Sequence, residues 1–85
     1  MTDLGDFIPE YEKWRHGGWY VTNVRYPSGA CGCVSRNYAD KKWRIVCDKR
    51  ESAKVGYCFA SVFTYKSRDE AARAEKALTL ELAAK

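Results

Sequence analysis

Through the middle of this chain apolar and polar positions alternate as they do in strands, and at its two ends the spacing becomes helical. Trp19–Tyr26 (WYVTNVRY) is rich in β-branched and aromatic residues and reads as a first strand. Its two faces carry Trp19, Val21, Asn23 and Arg25 against Tyr20, Thr22, Val24 and Tyr26. Pro27-Ser28-Gly29 marks a turn, and Ala30–Arg36 (ACGCVSR) is the short hairpin partner. Gly32 inside that run points to a bulge or to a close approach of another group. After a polar loop over Asn37–Lys41, Lys42–Asp48 predicts a third strand. Trp43, Ile45 and Cys47 share one face of it, and Lys42, Arg44 and Val46 the other. Asp48–Lys54 is a charged connection, and Val55–Tyr65 predicts a fourth strand with Tyr57, Phe59, Phe63 and Tyr65 in one parity.

The best-marked element follows. Ser67 with Glu70 three residues on forms a capping box, in which each side chain satisfies an orphan N–H of the first helical turn. Asp69 adds negative charge at the positive end of the dipole. Asp69–Arg73 and Glu81–Lys85 are favourable pairs one turn apart. Ala71, Ala74, Leu78 and Leu82 make an apolar stripe that should lie on the sheet, its alanines leaving room for large aromatics. At the other end, Pro9 to His16 followed by Gly17-Gly18 predicts a helix of about two turns, started by proline and stopped by glycine. His16 would then be a partner of the helix C-terminal dipole rather than a base. Met1–Ile8 reads as a loose acidic segment, leaving 9–85 as one domain. The expected class is α+β: a four-stranded, or at least three-stranded, antiparallel sheet with a C-terminal helix on one face and a short N-terminal helix.

Charge changes this picture more than composition does. Residues 1–12 carry four acids and no base, residues 13–66 carry eleven bases against three acids, and residues 67–85 balance four against four. The basic excess of +8 thus falls on the strands, which suits an anionic partner. One helix covers only one sheet face, so large side chains of either parity remain outside. Cations and rings mixed on such a face suit nucleic acid, the cations meeting phosphates and the rings stacking on bases. The candidate contacts are Trp19 or Tyr20 for stacking, with Arg25, Arg36, Lys42, Arg44, Lys49, Arg50 and Lys54. Two other readings stay open. The same face could dock on a protein through its Trp and Tyr anchors, as in small inhibitor modules of the kind phages and plasmids direct at host machinery. The charges could also be solvated edge residues that block sheet aggregation.

Lys42-Lys-Trp-Arg-Ile-Val46, the aromatic run ending at Phe63 and Ser67-Arg-Asp-Glu-Ala-Ala-Arg-Ala74 together resemble a known domain class. It is the three-stranded-sheet-plus-helix DNA-binding domain of plant ethylene-response factors and phage integrase arm-binding domains. The resemblance covers about residues 42–77 and implies a sheet laid in the major groove, with Trp43 and Arg44 as contacts. The chain differs from that class in lacking an arginine-rich opening strand.

Four cysteines, Cys31, Cys33, Cys47 and Cys58, are spaced C-x-C, then with thirteen and ten residues between them, unlike a pair of CxxC zinc knuckles. All fall in predicted strands, where cysteine packs as a small hydrophobe, so reduced thiols and no metal or other cofactor are expected. No Ser-His-Asp set, paired-carboxylate site or phosphate-binding glycine loop is recognisable, so no enzyme activity is expected. The first residues lack the basic and apolar regions of a signal peptide, and no apolar run is long enough for a membrane span. The reading is a soluble cytoplasmic protein without membrane association.

Overall fold

The computed structural model describes residues 7–15, 17–57 and 59–84. Four antiparallel strands follow one another as a meander: β1 (Tyr11–Trp14), β2 (Gly18–Arg25), β3 (Cys31–Ser35) and β4 (Arg44–Ile45). A short helix α1 (Lys49–Val55) and a long helix α2 (Arg68–Ala83) complete the chain. The class is α+β, with a four-stranded antiparallel sheet and a C-terminal helix lying across β2, β3 and β4.

The strands are not the four that the alternation predicts. The expected N-terminal helix is instead β1, paired with β2 in the register Tyr11–Val21, Glu12–Tyr20, Lys13–Trp19 and Trp14–Gly18. A lone two-turn helix is marginal in water, whereas a strand here covers the open edge of β2. Gly17, read as part of a helix stop, is the left-handed corner of this hairpin, with φ 90° and its N–H bonded to Trp14 O at 3.1 Å. Asn23 continues the pairing past β1 with its side chain, accepting from Glu10 N at 3.0 Å and donating to Ile8 O at 2.9 Å. His16, and residues 1–6 of the acidic segment, lie outside the described residues.

The expected third strand shrinks to Arg44–Ile45, and the connection after it is helical. Asp48 caps α1 by accepting from Arg50 N at 2.9 Å, and Gly56 ends it at φ 83°. Lys, Arg, Glu and Ala between these caps are all good helix formers. The expected fourth strand therefore begins late and is broken. Residues 59–65 still run antiparallel beside β4, held by Asp48 N to Phe59 O, Ser61 N to Ile45 O and Tyr65 N to Trp43 O, at 2.8–3.0 Å. Ser61 interrupts the ladder. Its buried hydroxyl accepts from Ile45 N at 3.1 Å and donates to Phe63 O at 2.8 Å.

The core lies between sheet and α2. Val21, Val24, Val34, Ala71 and Ala72 are its centre, with Phe7, Tyr11, Trp19, Trp43 and Tyr65 packed around them. Strict alternation along β2 fails because the pairing with β3 slips between Val21 and Arg25. Trp19 and Val21 face α2 before the slip, and Val24 and Tyr26 are buried after it. The buried face of α2 is also rotated from the expected stripe: it carries Ala71, Ala72, Glu75, Leu78 and Thr79, with Ala74 and Leu82 half-buried at its sides. Ser67 caps α2 by accepting from Glu70 N at 3.1 Å, while the Glu70 carboxylate reaches back to Lys66 N at 3.2 Å.

Candidate nucleic-acid interface

The ten predicted contact residues do not form one face. Trp19 lies on the helix side of β2, where the Arg68 guanidinium sits 4.9 Å from its ring. Tyr20 is on the opposite, open side, 36% exposed, with the Trp14 ring 6.2 Å away. There it is in register with Glu12 and Cys33, so this open face carries an acid beside its tyrosine. Arg25 is exposed at the end of β2, near Gly29 O at 3.5 Å. Lys49 lies 5.3 Å over the Tyr26 ring in a separate hollow with Pro27, Ser28 and Leu82. Arg50 is fixed to Asp48 by two contacts of 2.8 and 3.1 Å, and Lys54 pairs with Glu51 at 3.3 Å.

Arg44 points to the open face as its parity predicts, but its guanidinium is committed within the chain. It donates to Ser61 O at 2.9 Å and Val62 O at 3.2 Å, pairs with Asp40 at 2.7 Å, and lies 5.5 Å over the Tyr38 ring. These contacts tie the loop before β4 to the segment after α1. The Asp40 carboxyl is held below the usual carboxylate range, first by the Lys42 backbone N–H and then by Arg44.

Arg36, Lys42 and Trp43 do come together, and they bring other residues with them. A concavity of about 460 Å³ opens at the sheet margin between the loop before β4 and the residues leading into α2. It is lined by Arg36, Lys41, Lys42, Trp43, Thr64, Tyr65 and Lys66: four cations, two rings and no carboxylate. Among them Trp43 and Tyr65 are joined by an antiparallel bridge, and the Arg36 guanidinium lies 5.7 Å over the Trp43 ring. Asp40 and Glu70 are engaged with the backbone of its lining residues: Asp40 Oδ1 accepts from Lys42 N at 3.1 Å, and Glu70 from Lys66 N. A second hollow of about 510 Å³ adjoins it, lined by Gly17, Arg36, Asn37 and Lys41. Lys41, Thr64, Tyr65 and Lys66 were not in the predicted set. The Lys41-Lys42 pair was a visible signal, but only the bridge that brings residue 65 back to residue 43 places Lys66 beside it.

Large apolar groups are also exposed in the segment between α1 and α2. Tyr57, Val62 and Phe63 are 63%, 63% and 68% exposed, and Phe59 is close by with its ring 6.1 Å from that of Tyr57.

Cys31, Cys33 and Cys47 are half-buried thiols, and Cys58 lies outside the described residues. Cys31 Sγ donates to Val21 O at 3.3 Å, and burial pushes its pKa up, away from a reactive thiolate. Among the described residues no three His, Cys, Asp or Glu side chains gather as metal ligands would, and no helix is long and apolar enough to cross a membrane. Comparison with protein-family models, with curated proteins and with solved structures finds no match for this chain.

Proposed function

We propose that this is a small, non-enzymatic, cytoplasmic nucleic-acid-binding protein, with DNA the first ligand to test, and that it binds through the basic cleft at the sheet margin. One observation carries the reading: Arg36, Lys41, Lys42 and Lys66 surround two rings in a concavity with no acid among its lining residues. Cations so placed gain affinity from released counterions, and rings offer sequence-tolerant stacking. Arg44 serves in this reading as a structural tie rather than a contact.

Fluorescence anisotropy with labelled mixed-sequence oligonucleotides, single-stranded and duplex, tests it. If four phosphates are neutralised, the slope of log affinity against log salt should be about −3 for a single strand. Affinity should then drop roughly 60-fold between about 50 and about 200 mM salt. Absence of binding at the lower salt would remove the reading.

The exposed Tyr57, Val62 and Phe63 favour a second reading, a protein-binding or inhibitor module. Under it, Phe63→Ser abolishes capture of a protein partner, and Lys42→Glu does not.

A further inference from the structure

Lys41 is the one non-glycine residue with a positive φ among the described residues, at 57°. It closes the turn begun at Tyr38, its N–H bonded to Tyr38 O at 3.0 Å, and Asp40 fixes the next N–H. That backbone region disfavours a side chain with a Cβ and suits glycine, which occupies it at positions 17, 29 and 56. A lysine held there is a locally unfavourable choice, and such choices concentrate where a ligand is gripped. Lys41 is exposed and lines both basic hollows, and Arg36 is the other residue they share. The two hollows are therefore one path, with a pair of cations at the junction.

We propose that the ligand is a single strand running from one hollow into the other, and that Lys41 is the phosphate contact where they meet. This rests on the nucleic-acid reading above. Each hollow, at about 460 and about 510 Å³, is on the scale of one nucleotide rather than of a convex duplex. One has Trp43 and Tyr65 in its lining, with the Arg36 guanidinium over the Trp43 ring, so a splayed base would meet aromatic and guanidinium planes there. The other offers Arg36 and Lys41, cations suited to a phosphate. A duplex would instead have to be read by a projecting guanidinium, and that of Arg44 is taken up by two carbonyls and Asp40.

The test uses the full chain and its Lys41→Gly and Lys41→Arg variants. The probes are labelled single-stranded DNA and RNA of one mixed sequence and the DNA duplex of that sequence. The single strand should bind at least ten-fold tighter than the duplex, and the two single-stranded arms show which sugar is accepted. Lys41→Gly should weaken single-strand binding about five-fold and flatten the salt slope by about 0.7. Its Tm should be no lower than that of the wild type, because glycine relaxes the turn. Lys41→Arg should keep the affinity. Duplex bound as tightly as single strand, or Lys41→Gly with unchanged affinity and slope, overturns the proposal and leaves the nucleic-acid reading standing. Lys41→Gly that melts well below the wild type also overturns it, since the lysine would then stabilise the turn. Binding to none of the probes overturns both.

Discussion

Tyr26 Oη donates a hydrogen bond of 2.5 Å to Glu75 Oε2 in the layer between sheet and helix. The other oxygen of Glu75 accepts from Cys33 N at 2.9 Å. The carboxyl is 1% exposed. Burial pushes its pKa up from 4.5 to about 7, against the downward pull of the Tyr26 hydroxyl and the Cys33 N–H. The Tyr26 hydroxyl is pushed up in turn, by burial and then by Glu75, so it remains a donor.

This pair predicts stability that falls as pH rises toward neutrality. Folded Glu75 holds its proton up to a pH of about 7, while the unfolded chain releases it near 4.5. Between those values the native state binds more protons, so unfolding free energy declines with pH by at most about 1.4 kcal/mol per unit. The full decline is about 3 kcal/mol and is complete above the folded pKa. Asp48 acts in a different window. Burial pushes it up, but hydrogen bonds from the Arg50 side chain and backbone outweigh this and hold it below 3.8. Its contribution is present above that value and lost as pH falls through the folded pKa. Urea titrations from pH 3 to 8 should show a maximum between the two windows. Glu75→Gln should remove the neutral-side decline and keep the acid-side loss. A decline that persists in Glu75→Gln would assign it to another group.

Gly32→Ala should destabilise by about 2 kcal/mol. A Cβ there would lie 2.7 Å from Glu75 Oε1 and 2.9 Å from Val24 Cβ, between the Val24 side chain of β2 and the Glu75 carboxyl of α2. Because the clash is with Glu75 itself, the variant should also lose much of the neutral-side pH dependence. A drop in Tm without that change would mean the carboxyl has simply kept its place.

Gly32 was legible in the sequence as a bulge or a point of close approach, and the capped helix, the hairpin partners and the shared face of Trp43 and Ile45 were legible too. These depend on local rules: turn chemistry, caps and a period of two. What was hidden depends on long-range pairing. Pro9 and Gly17-Gly18 punctuate a helix and a hairpin equally well, and the choice was made by the free edge of β2. The slip beside Val21 moved the inward parity to Val24 and Tyr26, which no alternation count contains. Glu75 interrupts an apolar stripe and reads as solvent-facing until the Tyr26 hydroxyl and the Cys33 N–H are known to meet it. Asp48 with Glu51, and Gly56 beyond, were cap signals in plain view, masked by the charge of the segment between them. The candidate site was legible in its chemistry, cations with aromatics, and not in its place. The short β4 and the turn at Lys41 moved that chemistry from the sheet face to the sheet margin.

Ser61→Ala should cost about 2 kcal/mol, because it leaves the buried Ile45 N–H without an acceptor. The loss should be felt first by residues 59–63, which lean on that hydroxyl through Phe63 O. Chymotrypsin should cut at Tyr57, Phe59 or Phe63 faster in the variant, by a factor larger than the change in global unfolding predicts. Cleavage that only tracks global unfolding would show that the three backbone bonds hold the segment without Ser61.

Lys42→Glu and Arg44→Met should separate the cleft from the open sheet face. Lys42 is exposed and lines the cleft, so reversing its charge should weaken oligonucleotide binding by roughly ten-fold and flatten the salt slope, with Tm almost unchanged. Arg44 is the opposite case. Replacing it frees Ser61 O and Val62 O and unpairs Asp40, at a cost of about 1–2 kcal/mol, and no phosphate contact is lost. Its affinity, measured where the variant is fully folded, should stay within about two-fold of the wild type. The comparison cuts both ways. If Arg44→Met weakens binding as much as Lys42→Glu, the open face carries the ligand, and Arg44 has the contact role that the resemblance to the sheet-in-groove domains implies. If only Lys42→Glu weakens it, the four cations of the margin are the interface, and the open face with Glu12 and Tyr20 is left for another partner or for water.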